Sequence, residues 1–406
     1  MFLNALRTAY PQFAEMTRDG RGYAQQDAEE AWSQLISALR QKLKRKRSDE
    51  GREAAAQETE FSFVDEYMGG RFEKIEECND PAGIEAGETA QKKAEETFYK
   101  LNCHVASKDV THLGEGIAAA LSDSYTKTSP TLNREVEYVT KSKISRLPKY
   151  LPVHFVRFYW KRDINKKAKI MRKVTFPHEL DVVEYCTDEM KSMLIPVRDK
   201  IRELRKEELD IERARKRQKR MDKGEENDPN RATNSNGPTE KDLATNKTIP
   251  PSTTPTSKTN GKGNDNDTEL KDGEVYKTDG EIEAERAASI VAAKQALITS
   301  VNPKLAADKS ANQTGLYELR GIVTHQGASA DSGHYTAYVK KEGIKDSKTG
   351  KKEAEDGKWW WFNDDRVSEV DGEKIETLAG GGETHSALIL LYRAVELPVL
   401  EEKNGL

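Results

Sequence analysis

Cysteine is scarce in this 406-residue chain: Cys78, Cys103 and Cys186 are the whole complement, far apart and without a C-x-x-C pair. That spacing argues against a disulfide framework and against a structural zinc site. Free thiols suit a reducing compartment, the cytosol or the nucleus. No apolar run is long enough to span a bilayer, and the start carries no signal-peptide pattern. A strong net charge is missing too: 66 basic and 70 acidic residues leave −4. No global field draws the chain to nucleic acid or a membrane surface, so neither is expected as a partner. The seven histidines show no H-x-x-x-H spacing, so neither a catalytic metal nor a cofactor is expected. Apolar residues are few, 35% against 33% charged, which is polar for a fully folded chain of this length. A real core diluted by long solvated segments accounts for that balance.

The chain opens on Met1-Phe2-Leu3-Asn4-Ala5-Leu6, which reads as the middle of an amphipathic helix with no cap before it, as expected of a fragment or a misplaced start. Residues 1–46 are helical in pattern around the turn Asp19-Gly20-Arg21-Gly22. Residues 47–60 read as a loop. Phe61-Ser62-Phe63-Val64 and Phe98-Tyr99-Lys100-Leu101 suit strands, and residues 110–126 return to a helical pattern. The strongest strand signal is Tyr150–Trp160, alternating and rich in aromatic and β-branched residues; Pro148 and Pro152 place its start at an edge or a strand opening. Residues 197–220 read as a charged helix. Residues 221–275 hold no aromatic residue and four of Ile, Leu or Val, too few to offset ordering entropy, so a disordered insertion is expected. An Ala-rich helix at 281–300 follows, then strands from Gly315 to about Arg393.

The chemistry is concentrated near the C-terminus. Leu316–His325 reads as a strand, Gly327-Ala328-Ser329-Ala330-Asp331-Ser332-Gly333 as a small-residue loop, and His334–Val339 as a strand that begins at the histidine. A polar hairpin (340–357) leads into Trp359-Trp360-Trp361-Phe362-Asn363-Asp364. A thiol protease needs a base for the cysteine proton and an amide or carboxylate to hold that imidazole in one tautomer. His334 and Asn363, brought side by side by strand pairing, supply both. Each piece alone also has a plain structural reading: a surface or core histidine, core tryptophans, an Asn-Asp-Asp turn.

In combination these segments resemble the ubiquitin-specific protease family. Gly333-His334-Tyr335 with Trp361-Phe362-Asn363-Asp364 and Val367 is similar to that family's histidine box. Gln25-Gln26-Asp27-Ala28 is similar to its Gln-Gln-Asp-Ala motif, and Leu147-Pro148 with Val156-Arg157-Phe158 to its Leu-Pro…Arg-Phe strand. Thr324-His325-Gln326-Gly327, Ser142–Pro148 and Ala9-Tyr10-Pro11-Gln12-Phe13 resemble the proteasome-associated branch. The resemblance covers most of residues 1–200 and 310–395.

It implies an α+β fold of the papain-like cysteine protease kind, arranged as thumb, palm and fingers, with an incomplete thumb and the long insertion. The expected organisation is a partial thumb, fingers and first palm strands in 1–200, a charged helix and insertion in 201–310, and the palm with the histidine box in 311–398. The implied activity is hydrolysis of the (iso)peptide bond after the C-terminal glycine of ubiquitin, in cytoplasm and nucleus. Ubiquitin, ubiquitinated proteins and the 26S proteasome are the implied partners. His334 is then the general base, Asn363 its orienting group, and Asp364 a support for a water or the oxyanion. His325, Gly333 and Tyr335 line the channel for the ubiquitin tail, and Gln25, Gln26 and Asp27 brace it. Residues 327–332, with Ser329 and Ser332, form a blocking loop. The family's cysteine box should precede Gln25, and the chain begins too late to hold it or the branch's proteasome-docking domain. Cys103, in Lys100-Leu101-Asn102-Cys103-His104, reads as a strand thiol in the fingers rather than a nucleophile. A ubiquitin-binding protein without activity, or an inert scaffold, is the alternative.

Two further signals have plainer readings. The basic run Arg213–Arg220 suits a nuclear import signal or, more simply, a solvated helix face. Gly380-Gly381-Gly382 lacks the Lys-Ser/Thr of a phosphate loop and reads as a turn before a strand.

Overall fold

The computed structural model describes residues 2–17, 20–46, 60–164, 166–226, 279–329, 332–343, 355–382 and 384–398. The chain divides into two bodies, Met1–Arg202 with Gln295–Leu406, and Glu203–Lys294. Residues 295–310, assigned above to the insertion, group with the first body. There Leu305 is buried and Asp308 pairs with Arg146 at 2.9 Å.

The first body is built on a ten-stranded sheet. Seven of its strands are β1 (Leu101–His104), β2 (Tyr150–Val156), β3 (Leu316–Ser329), β4 (Ser332–Lys340), β5 (Trp359–Asn363), β6 (Arg366–Val370) and β7 (Ser386–Ala394). Their spatial order is β6-β5-β4-β3-β7-β2-β1. All pairs are antiparallel except β1 with β2. The interior strands carry the core: Leu151, Val153, Phe155, Leu319, Ile322, Leu390 and Tyr392 are buried. β2 is such an interior strand, not an edge. Its Pro152 is tolerated because the parallel partner β1 begins opposite Val153, one residue later, so no neighbour on that side needs the missing N–H.

Arg157 follows β2 and is fully buried. Its guanidinium donates to four carbonyls: Ala387 (2.9 Å), Arg172 (2.7 Å), Ile170 (3.3 Å) and Ala379 (3.2 Å). One buried cation thereby ties β7 to the segment after β2 and to the turn before β7. Burial without a carboxylate partner lowers its pKa to about 10.

A separate five-stranded sheet is centred on Gly70–Cys78 and Glu135–Arg146, flanked by Gln91–Lys92, Glu96–Phe98 and Ser122–Thr128. Two readings need correction here. Phe61-Ser62 lies in a short strand, but Phe63–Met68 is a helix capped by Ser62, whose hydroxyl accepts from the Val64 N–H at 3.1 Å. The helical pattern at 110–126 covers only Leu113–Ala120; Ser122–Thr128 is an exposed polar strand.

The helix Asp188–Glu226 starts in the first body, where Met190, Leu194, Val197 and Ile201 are buried at helical spacing. In the second body Lys294–Glu208 at 3.0 Å joins its continuation to the helix from Asp279, and Lys216–Glu212 at 2.7 Å lies within the continuation itself. The helix runs through residues 221–226, the start of the expected disordered stretch, and residues 227–275 lie outside the described residues.

Candidate active site

β3 and β4 form a hairpin in which Gln326 faces His334 and His325 faces Tyr335. β4 then pairs with β5 from Ala337↔Phe362 outward. This register brings His334, near the start of β4, beside Asn363, at the end of β5. His334 Nε2 lies 2.5 Å from Asn363 Oδ1. Facing an amide oxygen, Nε2 carries the proton, which leaves the Nδ1 lone pair as the basic position. Asp364 follows in the left-handed region (φ 52) and sets Oδ2 at 3.9 Å from the same nitrogen, with its side chain 78% exposed. That distance is an electrostatic contact, not a hydrogen bond.

Gly333 has no room for a side chain. At φ +138, an added Cβ would stand 2.0 Å from the Gln326 carbonyl and 2.7 Å from His325 Nε2. His325 is buried, with its ring 4.8 Å from that of Tyr335 and edge-on to Phe158 at 5.3 Å. Its Nε2 meets Gln25 at 3.3 Å, and the Tyr335 hydroxyl accepts from the Ala28 N–H at 3.5 Å. The start of the helix Ala28–Lys42 is thus joined to the histidine hairpin. Burial raises the Tyr335 phenol to about 12, so it stays a neutral hydroxyl.

Asp27 caps that helix, accepting from the Glu29 N–H at 2.9 Å. Gln26 turns away and meets Glu15 at 3.4 Å, so it is not brought to the His325 cluster. Ser329 and Ser332 are opposed backbone positions closing the hairpin. The expected loop at 327–332 is largely strand: β3 continues to Ser329 and β4 starts at Ser332, two residues before the histidine. Residues 330 and 331 of that expected loop lie outside the described residues.

Three neighbours escaped sequence reasoning. His385 lies 6.3 Å from the His334 ring, edge to face, and its Nδ1 is 3.3 Å from Thr324 Oγ1. Burial, and then the neighbouring His334 ring, lower its pKa. Lys169 is buried and donates to the His325 carbonyl at 2.7 Å; burial lowers its pKa to about 8. Ser386 reaches the same carbonyl at 3.4 Å. No spacing rule marks a single histidine or lysine of this kind.

The thiols stand apart from this cluster. Cys103 lies on β1, in the same sheet as His334 and not in the five-stranded one, which corrects its expected place. It is nevertheless four strands from β4, about 19 Å at the usual strand spacing. Cys103 and Cys186 are fully buried, and burial pushes both thiols up to about 12. Cys78 ends a strand of the five-stranded sheet. Among the described residues no group of acidic, His or Cys side chains is arranged to hold a metal ion.

The fold is α+β and of the papain-like cysteine protease kind, with a histidine–amide pair beside the hairpin that carries Gly333. Residues 1–392 match the family model described as ubiquitin carboxyl-terminal hydrolase, and the chain belongs to that family. It is 39% identical over 396 residues to ubiquitin carboxyl-terminal hydrolase 6 of Schizosaccharomyces pombe, covering 98% of this chain and 66% of that protein. It is 34% identical to ubiquitin carboxyl-terminal hydrolase 6 of Arabidopsis thaliana, covering 97% and 63%. Its match to ubiquitin carboxyl-terminal hydrolase 14 of Caenorhabditis elegans is 30% identical, covering 77% and 47%. The chain therefore spans at most about two thirds of the length of these relatives.

Proposed function

We propose that this chain carries the imidazole–amide half of a deubiquitinating thiol protease, one that hydrolyses the (iso)peptide bond after the C-terminal glycine of ubiquitin. The observation that carries the reading is the His334 Nε2 to Asn363 Oδ1 contact at 2.5 Å. It supports Asn363 as the group that holds the proton on Nε2 and turns Nδ1 toward the reacting atoms. Nδ1 takes the proton of a thiol, and the thiolate attacks the glycine carbonyl. The imidazolium then gives that proton to the departing lysine amine, and the acyl group stays on sulfur as a thioester. Nδ1 next takes a proton from water, the resulting hydroxide equivalent cleaves the thioester, and the thiol leaves protonated. Asp364 supports a water or the oxyanion at this step. His325, Gly333, Tyr335 and Gln25 form the wall of the tail channel, with Asp27 holding the helix that braces it. Residues 327–332, as the blocking loop, must yield before a tail enters.

In this reading the thiol comes from residues outside this sequence. The burial and raised pKa of Cys103 and Cys186, and the place of Cys78 in the separate five-stranded sheet, support that. Proteasome association, and residence in cytoplasm and nucleus, extend the proposal; the branch-like motif Thr324-His325-Gln326-Gly327 supports the first. A ubiquitin-binding protein without catalysis is the second reading, favoured by the same three unsuitable thiols.

The test separates the two. The transcript upstream of Met1 is read for a Gly-Asn-x-Cys segment, and both forms are treated with ubiquitin bearing a C-terminal electrophile. The extended form is labelled, and the 406-residue chain binds ubiquitin without labelling. Absence of such a segment favours the second reading. Labelling of Cys103 in the present chain contradicts the assignment of the nucleophile, and failure of either form to bind ubiquitin overturns the proposal.

A further inference from the structure

His385 lies beside the histidine–amide pair but takes no part in the proton transfers described for it. It stands one residue before β7, on backbone that is pinned twice. The Arg157 guanidinium donates to the Ala387 carbonyl at 2.9 Å, and Ser386 Oγ reaches the His325 carbonyl at 3.4 Å. The half-buried ring meets the His334 ring at 6.3 Å with 72° between the planes. Edge-to-face contact of this kind is a favoured arrangement of two rings. Asn363 holds His334 at Nε2 alone, by one hydrogen bond about which an imidazole can swing. A second contact on the ring removes that freedom.

His385 has an anchor of its own. Thr324 and Thr336 are buried and directly opposed on β3 and β4, with their hydroxyls 2.7 Å apart. Thr324 Oγ1 also lies 3.2 Å from the Thr336 carbonyl and 3.3 Å from His385 Nδ1. A hydroxyl has one proton and two lone pairs, and a carbonyl only accepts. The Thr324 proton therefore goes to the carbonyl, and Thr324 accepts from Thr336 Oγ1 and from His385 Nδ1. That count puts the His385 proton on Nδ1. The charges that act on His385 are all basic: His334, Lys374 on the short helix Glu373–Glu376, and Lys169 on the strand Lys166–Lys169. The carboxylate of Asp364 stands instead on His334, 3.9 Å from Nε2. Burial and these cations keep His385 neutral where an ordinary histidine begins to charge. A neutral ring can stay packed on the base in both of its protonation states.

We infer that His385 is a second positioning residue for the base: its ring, held by the Thr324–Thr336 hydroxyl pair, keeps the His334 imidazole turned toward Asn363. This rests on the proposed function, since it concerns the base of the same site.

The experiment records nitrogen-15 histidine side-chain spectra of the full chain in mildly alkaline buffer, for the wild type, His385→Ala, His385→Phe, Thr324→Val and Asn363→Ala. Wild-type His385 is expected in the Nδ1–H form, moving toward Nε2–H in Thr324→Val. His385→Ala should lower the Nε2–H preference of His334 about threefold and weaken its nuclear Overhauser effects to Asn363. His385→Phe, which keeps a ring, should restore both. Thr324→Val should loosen His334 in the same direction, which keeps the test open should His385→Ala fold poorly. In a pH titration the His385 midpoint should rise in His334→Gln, a readout that simple filling of space would not move. A His334 spectrum indifferent to His385→Ala and Thr324→Val, an Nε2–H form of wild-type His385, or a midpoint unmoved by His334→Gln overturns this inference. If Asn363→Ala still shifts the His334 tautomer, the proposed function stands without it. If Asn363→Ala shifts nothing either, both fall.

Discussion

The two larger sheets of the first body are held together by different physics. In the ten-stranded sheet the central strands bury Val153, Phe155, Leu319, Ile322, Leu390 and Tyr392, and a buried Arg157 satisfies four carbonyls at once. In the five-stranded sheet Ser122–Thr128 is exposed almost throughout, and cross-strand contacts are largely ionic: Lys92–Glu73 at 2.8 Å, Lys141–Glu77 at 2.7 Å, and Glu76 with Lys93 at 3.1 Å and Lys127 at 2.5 Å. Apolar burial is insensitive to salt and costly to disturb, whereas ion pairs whose lysines reach solvent, as all of these do, are screened, and those exposed at both ends are individually worth little. The histidine–amide pair sits on the first kind of scaffold, where a sub-ångström geometry can be kept.

Substitutions that attack the buried scaffold sharpen this contrast most. Arg157→Met strands four buried carbonyls and is expected to destabilise the first body by about 3–5 kcal/mol, read from denaturant unfolding. A loss below about 1 kcal/mol would show that those carbonyls find other partners. Gly333→Ala forces the hairpin apart, because its Cβ would meet the Gln326 carbonyl. It should cost about 2–3 kcal/mol and break the His334–Asn363 contact, visible as loss of the nuclear Overhauser effects between the two side chains. In a form that includes the thiol, Asn363→Ala is expected to lower kcat about 100-fold with little change in KM. A change confined to KM would mean that the amide binds substrate and does not orient the base.

The five-stranded sheet should respond to solvent more than to mutation. Burial alone would raise the Glu76 carboxyl, but Lys127 and Lys93 hold it below its usual range. Its contribution is therefore full above the ordinary carboxylate pKa and drains away as pH falls through the lowered folded value. Protection from hydrogen exchange in Ser122–Thr128 and Glu135–Arg146, referred to the intrinsic rate at each pH, should fall on acidification below about pH 4.5, and Glu76→Gln should flatten that response. Salt near about 1 M, where screening acts within about 3 Å, should loosen the same amides before those of β2, β3 and β7. Equal acceleration in both sheets would erase the distinction.

The same contrast decided what the sequence revealed. β2, β3, β4 and β5 were legible because buried strands concentrate aromatic and β-branched residues, and the His334–Asn363 pairing followed from their order. Ser122–Thr128 was not legible, because a strand exposed on nearly every residue has no apolar alternation to read. The helix at Phe63 was hidden by two phenylalanines at strand spacing; the decisive residue was its cap, Ser62. Pro148 and Pro152 suggested an edge or a strand opening, and the opening is what is found: the pairing with β1 starts one residue beyond Pro152. Arg157 was quoted only as part of a motif, and its four-carbonyl role depends on contacts from residues 170, 172, 379 and 387 that no local pattern reports. His385 and Lys169 were missed for the same reason.

The central claim is that Asn363 fixes the His334 proton on Nε2 and leaves Nδ1 free as a base. Nitrogen-15 correlation spectra of the histidine side chains, recorded on the full chain in mildly alkaline buffer, report the tautomer directly. The account predicts the Nε2–H form for His334, relaxing toward a tautomer mixture in Asn363→Ala. A predominant Nδ1–H form, or a spectrum unmoved by Asn363→Ala, would contradict it.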